Sequence, residues 1–194
     1  LIIGGGTTIE QPIGYAIITA VSAYSAGTVT FTATVYIPFQ TSDYITLGNG
    51  YSIRQPVFTE ELGYPSVVSY YQNRLFFGNT KSLQDVIFGS RVNAFTNFDT
   101  GSGSDVDALI YNIGKSDTGG IVAINPGKQL EIYTQNYEFA CPQEQSVGLT
   151  PATFSIRQQS STGSNAVMKP ISYLNDSYYA SKAGSSIINF HFNG

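Results

Sequence analysis

This chain cannot close a disulfide on itself, because Cys141 is its only cysteine. No oxidising compartment is implied by such usage. The thiol lies in the apolar run from Tyr137 to Pro142, where a free cysteine behaves as a small buried hydrophobe. Histidine is equally scarce: His191 is the single copy. One histidine and one cysteine cannot supply the four ligands of a structural zinc site. Any Ser-His-acid or Cys-His nucleophile would have to use His191. Alternation along Phe190-His191-Phe192 sets that ring opposite the two phenylalanines, which predicts a surface or interface histidine instead. Tryptophan is absent altogether.

Charge is sparse as well. Charged residues make up 11% of the 194, against roughly 25% in ordinary soluble domains. The nine Lys and Arg are scattered singly and the net charge is −4. Salt-dependent capture of nucleic acid needs clustered cations that neutralise several phosphates together, so this chain is not built to grip DNA. A wall past which DNA slides remains compatible with it. No apolar run reaches the roughly 18 residues of a membrane helix, and the stretch that opens at Leu1 starts mid-pattern without a charged n-region, so it is not expected to be a signal peptide. The missing initiator Met, with a strand-like pattern running to Phe192, leads us to expect a piece of a longer protein.

What is present is β-forming sequence. The composition is 42% hydrophobic and 13% aromatic, with 14 Tyr, suited to rigid contact surfaces with a polar tip. Thr28 to Ile37 alternates strictly, with Val29, Phe31, Ala33, Val35 and Ile37 on one face, which predicts a half-buried strand. Tyr15 to Ala23 precedes it, joined through the turn Tyr24-Ser25-Ala26-Gly27. The leading Gly4-Gly5-Gly6 lacks the Lys-Ser/Thr partner of a phosphate loop and is expected to be a turn. From Pro38 to Pro65 the pattern loosens, broken by Gly48-Asn49-Gly50, Pro56 and Gly63, with Glu60-Glu61 as a solvated loop. No segment carries a capped 3.6-residue stripe; only Ser90 to Phe95 has the makings of a helical turn.

Beyond that connector a three-strand rhythm repeats. Its first copy is Val67–Tyr71, the turn Gln72-Asn73-Arg74, Leu75–Phe77, and a third run from Asp85 to Ser90. The second is Ile121–Ile124, Asn125-Pro126-Gly127, Lys128–Thr134, Gln135-Asn136, and Tyr137–Cys141. The third is Ile171–Leu174, Asn175-Asp176, Ser177–Ser181, Lys182-Ala183-Gly184, and Ser185–Phe192. Such turn residues are hairpin chemistry. Spacing of some fifty residues approaches the roughly 40–50 of four-stranded propeller blades. Extra strands at Ala108–Ile113 and Thr153–Gln158 would then open the second and third blades. The expected class is all-β: residues 63–194 form antiparallel blades of an incomplete propeller, and residues 1–62 a smaller β-rich module and connector.

Several positions invite chemistry. Asp99, Asp105 and Asp107, with Gly101 and Gly103 between them, have the alternating spacing of a calcium loop. The EF-hand glycine and bidentate glutamate are replaced by Ser104 and Ile110, so a solvated turn is the simpler reading and no metal or cofactor is assigned. Asn175-Asp176-Ser177 fits a glycosylation sequon but reads as a hairpin turn. Arg74 and Arg91 sit where a guanidinium would anchor backbone carbonyls or a neighbouring carboxylate.

The ordered motifs resemble one family. Gly63-Tyr64-Pro65 followed by Tyr71-Gln72-Asn73-Arg74-Leu75-Phe76-Phe77-Gly78-Asn79-Thr80 is similar to a signature of the tail tubular protein B, or tail nozzle, family of short-tailed bacteriophages. The likeness continues through Ser90-Arg91, Phe95-Thr96-Asn97-Phe98-Asp99 and the Gly-rich acidic stretch Gly101 to Leu109. Leu130 to Phe139 and Ser181-Lys182-Ala183-Gly184 extend it. Tyr64 stands where the family often has Trp, and a Trp usual after Glu138 is missing. The resemblance implies a structural virion protein without catalytic residues, one of typically six copies in a ring beneath the portal and adaptor. Its partners would be other copies, the adaptor and other tail proteins, with DNA passing unbound through the channel. It would be made in the host cytoplasm and reside in the virion tail. Two other readings stand beside it: a carbohydrate-binding or glycan-degrading propeller, and a receptor-binding module at the tail tip. The absence of Trp and of a Ser-x-Asp-x-Gly-x-Thr-Trp box weighs against the glycan reading.

Overall fold

In a computed structural model the described residues are 2–3, 14–27, 29–37, 58–101, 103–142, 148–174 and 176–191. Expectations for Gly4-Gly5-Gly6, for most of the connector, and for Asn175 and Phe192 lie outside them. Two compact units emerge, Leu1–Pro56 and Val57–Gly194. Among the described residues every element is a β-strand and every pairing is antiparallel. No helix there is long and apolar enough to cross a membrane.

The first unit holds β1 (Ile2–Ile3), β2 (Gly14–Val21) and β3 (Phe31–Ile37) in one sheet. Register runs from Tyr15 opposite Ile37 to Val21 opposite Phe31. The reversal falls at the expected turn, with Ala26 and Gly27 both at positive φ.

The second unit begins with a lead-in, because Phe58 packs edge-on against Phe77, Phe88 and Phe98. Its first sheet is β4 (Val67–Tyr71), β5 (Arg74–Gly78), β6 (Val86–Gly89) and β7 (Leu109–Asn112) in sequence order. The second is β8 (Ile121–Pro126), β9 (Leu130–Thr134), β10 (Glu138–Cys141) and β11 (Arg157–Ser160). The third is β12 (Ile171–Tyr173), β13 (Asp176–Ala180) and β14 (Ile187–Phe190). Each is an open meander.

Five expectations need correcting. Asn125 and Pro126 are not turn residues, since both pair within β8, opposite Glu131 and Leu130. The extra strands do not open the following sheets; they complete the preceding ones. Gly89 pairs with Leu109 and Val86 with Asn112, because the 91–107 loop returns along β6, tied by Val92 N–H to the Val106 carbonyl. β11 likewise pairs with β10, and the first half of the expected Thr153–Gln158 strand is a hydroxyl-capped turn, Thr150 N–H to Thr153 Oγ1. The β4–β5 turn contains two residues rather than three. Gln72 and Asn73 both take positive φ, as a type I′ hairpin requires, and Arg74 already pairs with Tyr71. In the third sheet Tyr173 pairs with Asp176, so Asp176 is a strand residue, and exposed Leu174 takes φ +55°. Ser90–Phe95 is not helical, since Asn93 is left-handed at +58° inside an Arg91–Ala94 bridge.

The second sheet is covered on both faces along β9 and β10, while its last strand, β11, is exposed. Along β9, Leu130 and Ile132 join the core shared with Phe76, Ile87 and Leu109 of the first sheet. The alternate Tyr133 joins the core shared with Tyr179 and Phe190 of the third. All of β9 and β10 is accordingly buried. Cys141 lies wholly inside the first of these cores, as its sequence context predicts, and burial raises its thiol pKa. Faces of packed sheets stand ~10 Å apart. Cα atoms of β8 nevertheless come within 8 Å of β4 and β5 on one side and of β12 on the other. Among the described residues β7, β11 and β14 make no approach of comparable extent. Successive sheets are therefore closest at their first strands.

Candidate functional site

Several of the motif residues, Gln72, Arg74, Ser90 and Arg91 among them, meet around one guanidinium. Arg74 is fully buried and directs its guanidinium at four backbone carbonyls. Its Nε donates to Leu149 at 3.1 Å, Nη1 to Ser90 at 2.7 Å and Asp107 at 2.6 Å, and Nη2 to Asp105 at 2.5 Å. These carbonyls belong to the end of the first sheet, its returning loop, and the segment leading into β11. One planar cation thus ties together three stretches of chain. Burial lowers its pKa, and the charge of Asp107 works the other way.

Arg91 Nη2 meets Asp107 Oδ1 at 2.9 Å, both side chains almost wholly enclosed. Asp107 Oδ2 accepts the Gly103 and Ser104 N–H groups at 3.1 and 2.8 Å. The carboxylate is held where a methyl on Gly101 would collide with it, at 2.5 Å. Asp105 is exposed and contributes its carbonyl, not its carboxylate. Asp99 Oδ1 accepts the Gly101 N–H at 3.2 Å. The candidate calcium loop is therefore organised around an arginine cation. Among the described residues no group of three or more His, Cys, Asp or Glu could hold a metal.

Gln72, Ser90 and Asn97 support this knot, whereas Gly63, Gly78 and Thr80 lie at the other end of the β4–β5 hairpin. Gln72 Oε1 accepts the Leu149 N–H at 2.9 Å. Ser90 Oγ accepts the Leu75 N–H at 2.9 Å. Asn97 receives the Arg91 N–H on its carbonyl at 2.9 Å and the Asp99 N–H on its side chain, also at 2.9 Å. Thr80 Oγ1 caps the Leu83 N–H at 3.0 Å. Phe77 and Phe98 pack together. Gly78 faces Ile121 across the sheet interface, and Gly63, at φ +88°, lies where a side chain would strike Lys81. Tyr64 is exposed, and Pro65 half-buried.

A second polar cluster was not legible as a site. Glu131 accepts from Asn125 Nδ2 at 2.7 Å, Tyr133 Oη at 2.8 Å and Ser177 Oγ at 2.8 Å. Asn125 also donates to Ser172 and Ser177. Glu138, fully buried, accepts from Ser164 Oγ at 2.7 Å and from Ser160 Oγ. Burial, then the nearby Glu131 charge, pushes the Tyr133 hydroxyl pKa up. The available signal was acidic residues inside otherwise apolar strands, Leu130-Glu131-Ile132 and Glu138-Phe139.

His191 is exposed and its Nδ1 lies 2.5 Å from Asp176 Oδ1. Cys141 is buried in the core between the first two sheets, whereas His191 is exposed beyond β14, so the structure does not bring the two together. The His191 hydrogen bond is the largest influence lowering the Asp176 pKa beneath its ordinary 3.8. A depressed folded value means that this pair's contribution is present above the unfolded pKa and lost as pH falls through the folded one. In an NMR titration we expect His191→Ala to bring Asp176 back up towards 3.8; an unchanged carboxyl titration would show that the pair is not formed in solution.

Compared with known proteins, the chain matches no family model and no curated protein sequence.

Proposed function

We propose that this chain is a structural subunit of a bacteriophage tail nozzle, its sheets being blades of a propeller that borders a genome-exit channel. The observation that carries this reading is the approach of β4, β8 and β12, the geometry expected of wedges converging on an axis. The enclosed middle sheet supports it, since blades pack on both faces. The Arg74 knot supports it too, because the residues of the nozzle-like motif act as braces between segments rather than as a reaction centre. In this reading the chain is not an enzyme and uses no cofactor. Its partners are copies of itself, an adaptor and neighbouring tail proteins, within the virion after synthesis in the host cytoplasm. A net charge of −4 suits a passage that lets DNA slide rather than holding it.

Electron microscopy of the intact protein, alone and with its adaptor ring, tests the proposal. A six-fold ring with a central bore is the expected result. A monomer under both conditions, or specific capture or hydrolysis on a glycan array, would replace this reading with a receptor-binding or carbohydrate-active one.

A further inference from the structure

We infer that the third sheet is a separately opening element, parting from the second along a hydrogen-bonded seam while the first and second sheets stay together. The inference stands independently of the nozzle reading. The two interfaces of the middle sheet differ in kind. The one towards the first sheet encloses twelve buried apolar residues, Phe76, Ile132 and Phe139 among them, and is fastened by the Arg74 and Gln72 bonds to Leu149. The one towards the third sheet encloses six, two of them tyrosines.

Polar groups occupy the rest of that seam. Glu131 spans it through Ser177 Oγ, and Asn125 reaches Ser172 and Ser177 from the second sheet. Lys169 Nζ donates to the Val122 carbonyl at 2.7 Å, and Lys182 Nζ to Asn136 Oδ1 at 2.6 Å. Among the described residues no salt bridge joins a Lys or Arg to Glu131 or Glu138. When the seam opens, each of these bonds is replaced by one to water, whereas apolar area exposed at the other interface finds no such compensation. Water entering the seam would hydrate two carboxylates now satisfied by neutral donors. Water entering the other interface would find aliphatic and aromatic surface. Local opening follows the plane with least apolar burial. On the opposite face Ile171, Tyr173 and Ile187 remain exposed, and in the described structure only the Ala180 end is covered, where the Asn165 N–H meets the Ala180 carbonyl at 3.0 Å.

Hydrogen exchange read by mass spectrometry on the whole chain decides the matter. Interior strands give a like-for-like comparison: β5, β9 and β13 each pair on both sides. Parting removes the third sheet's buried face, so its three strands then unpair, and we expect β13 amides to exchange at least ~10-fold faster than those of β5 and β9, which should share a common rate. Ser177→Ala, which removes one donor to Glu131, should speed β13 by a further ~10-fold and leave β5 unchanged. One rate for all three strands overturns the inference, as does a Ser177→Ala variant that accelerates β5 as much as β13. Should that variant not fold, the rates of the unsubstituted chain decide alone.

Discussion

Replacing Arg74 with methionine is expected to cost about 3–5 kcal/mol, or about 10–20 °C in the thermal midpoint of the second unit. Methionine fills much of the same space, so the loss is not one of volume. It strips the donor from four carbonyls in a site with no exposure, and it leaves Arg91 and Asp107 as a pair in a remodelled pocket. Lysine keeps the charge but presents a single ammonium that cannot reach four acceptors arranged around a plane. Arg74→Lys should therefore recover less than half of the loss. Thermal melts followed by circular dichroism measure both variants. A lysine variant with the stability of the parent would show that charge alone, not the fork of donors, holds the segments together.

The second large effect is expected at Gly163. Its φ is +76°, and a Cβ there would lie 2.2 Å from the carbonyl oxygen of Gln135. Left-handed backbone costs an alanine about 1–2 kcal/mol, and the overlap with a neighbouring main chain adds about 1–3 kcal/mol. The Gly163 carbonyl also receives the Lys182 N–H at 2.9 Å, so the glycine cannot step aside without breaking a link into the third sheet. Gly163→Ala should lower the midpoint by about 10 °C. A fall of less than about 2 °C would mean that the Gln135 turn yields easily. Because the clash lies between the second and third sheets, protection from exchange should disappear in β12–β14 before it does in β4–β7.

Much of the second unit was legible because period-two alternation and hairpin turns are local signals. The repeat at Val67, Ile121 and Ile171 fell on the first strand of each sheet, since β-branched runs bounded by Gly, Asn and Pro leave little other choice. The fourth strands were misassigned for a physical reason. Sequence alternation says that Leu109–Asn112 is a strand, but only the return of the loop through Val92 and Asp107 says which neighbour it joins. Arg74 was expected as an anchor, and it is one; its place inside the strand was hidden because two residues of positive φ shorten the turn by one position. The seam around Glu131 and Glu138 was missed because strand-borne acids normally read as solvent-facing. Their enclosure depends on a third sheet some forty residues further along the chain.

Enclosure of the middle sheet has a final consequence. With both broad sides of β9 and β10 sealed against neighbours, that layer has only its rims to show to the outside world. Whatever this protein touches through its central layer, it touches with the exposed edge strand β11 and with loops such as Lys115–Gly120 and the Gln135-Asn136 bend, and those few residues, not β9 and β10, are where selectivity for a counterpart would be written.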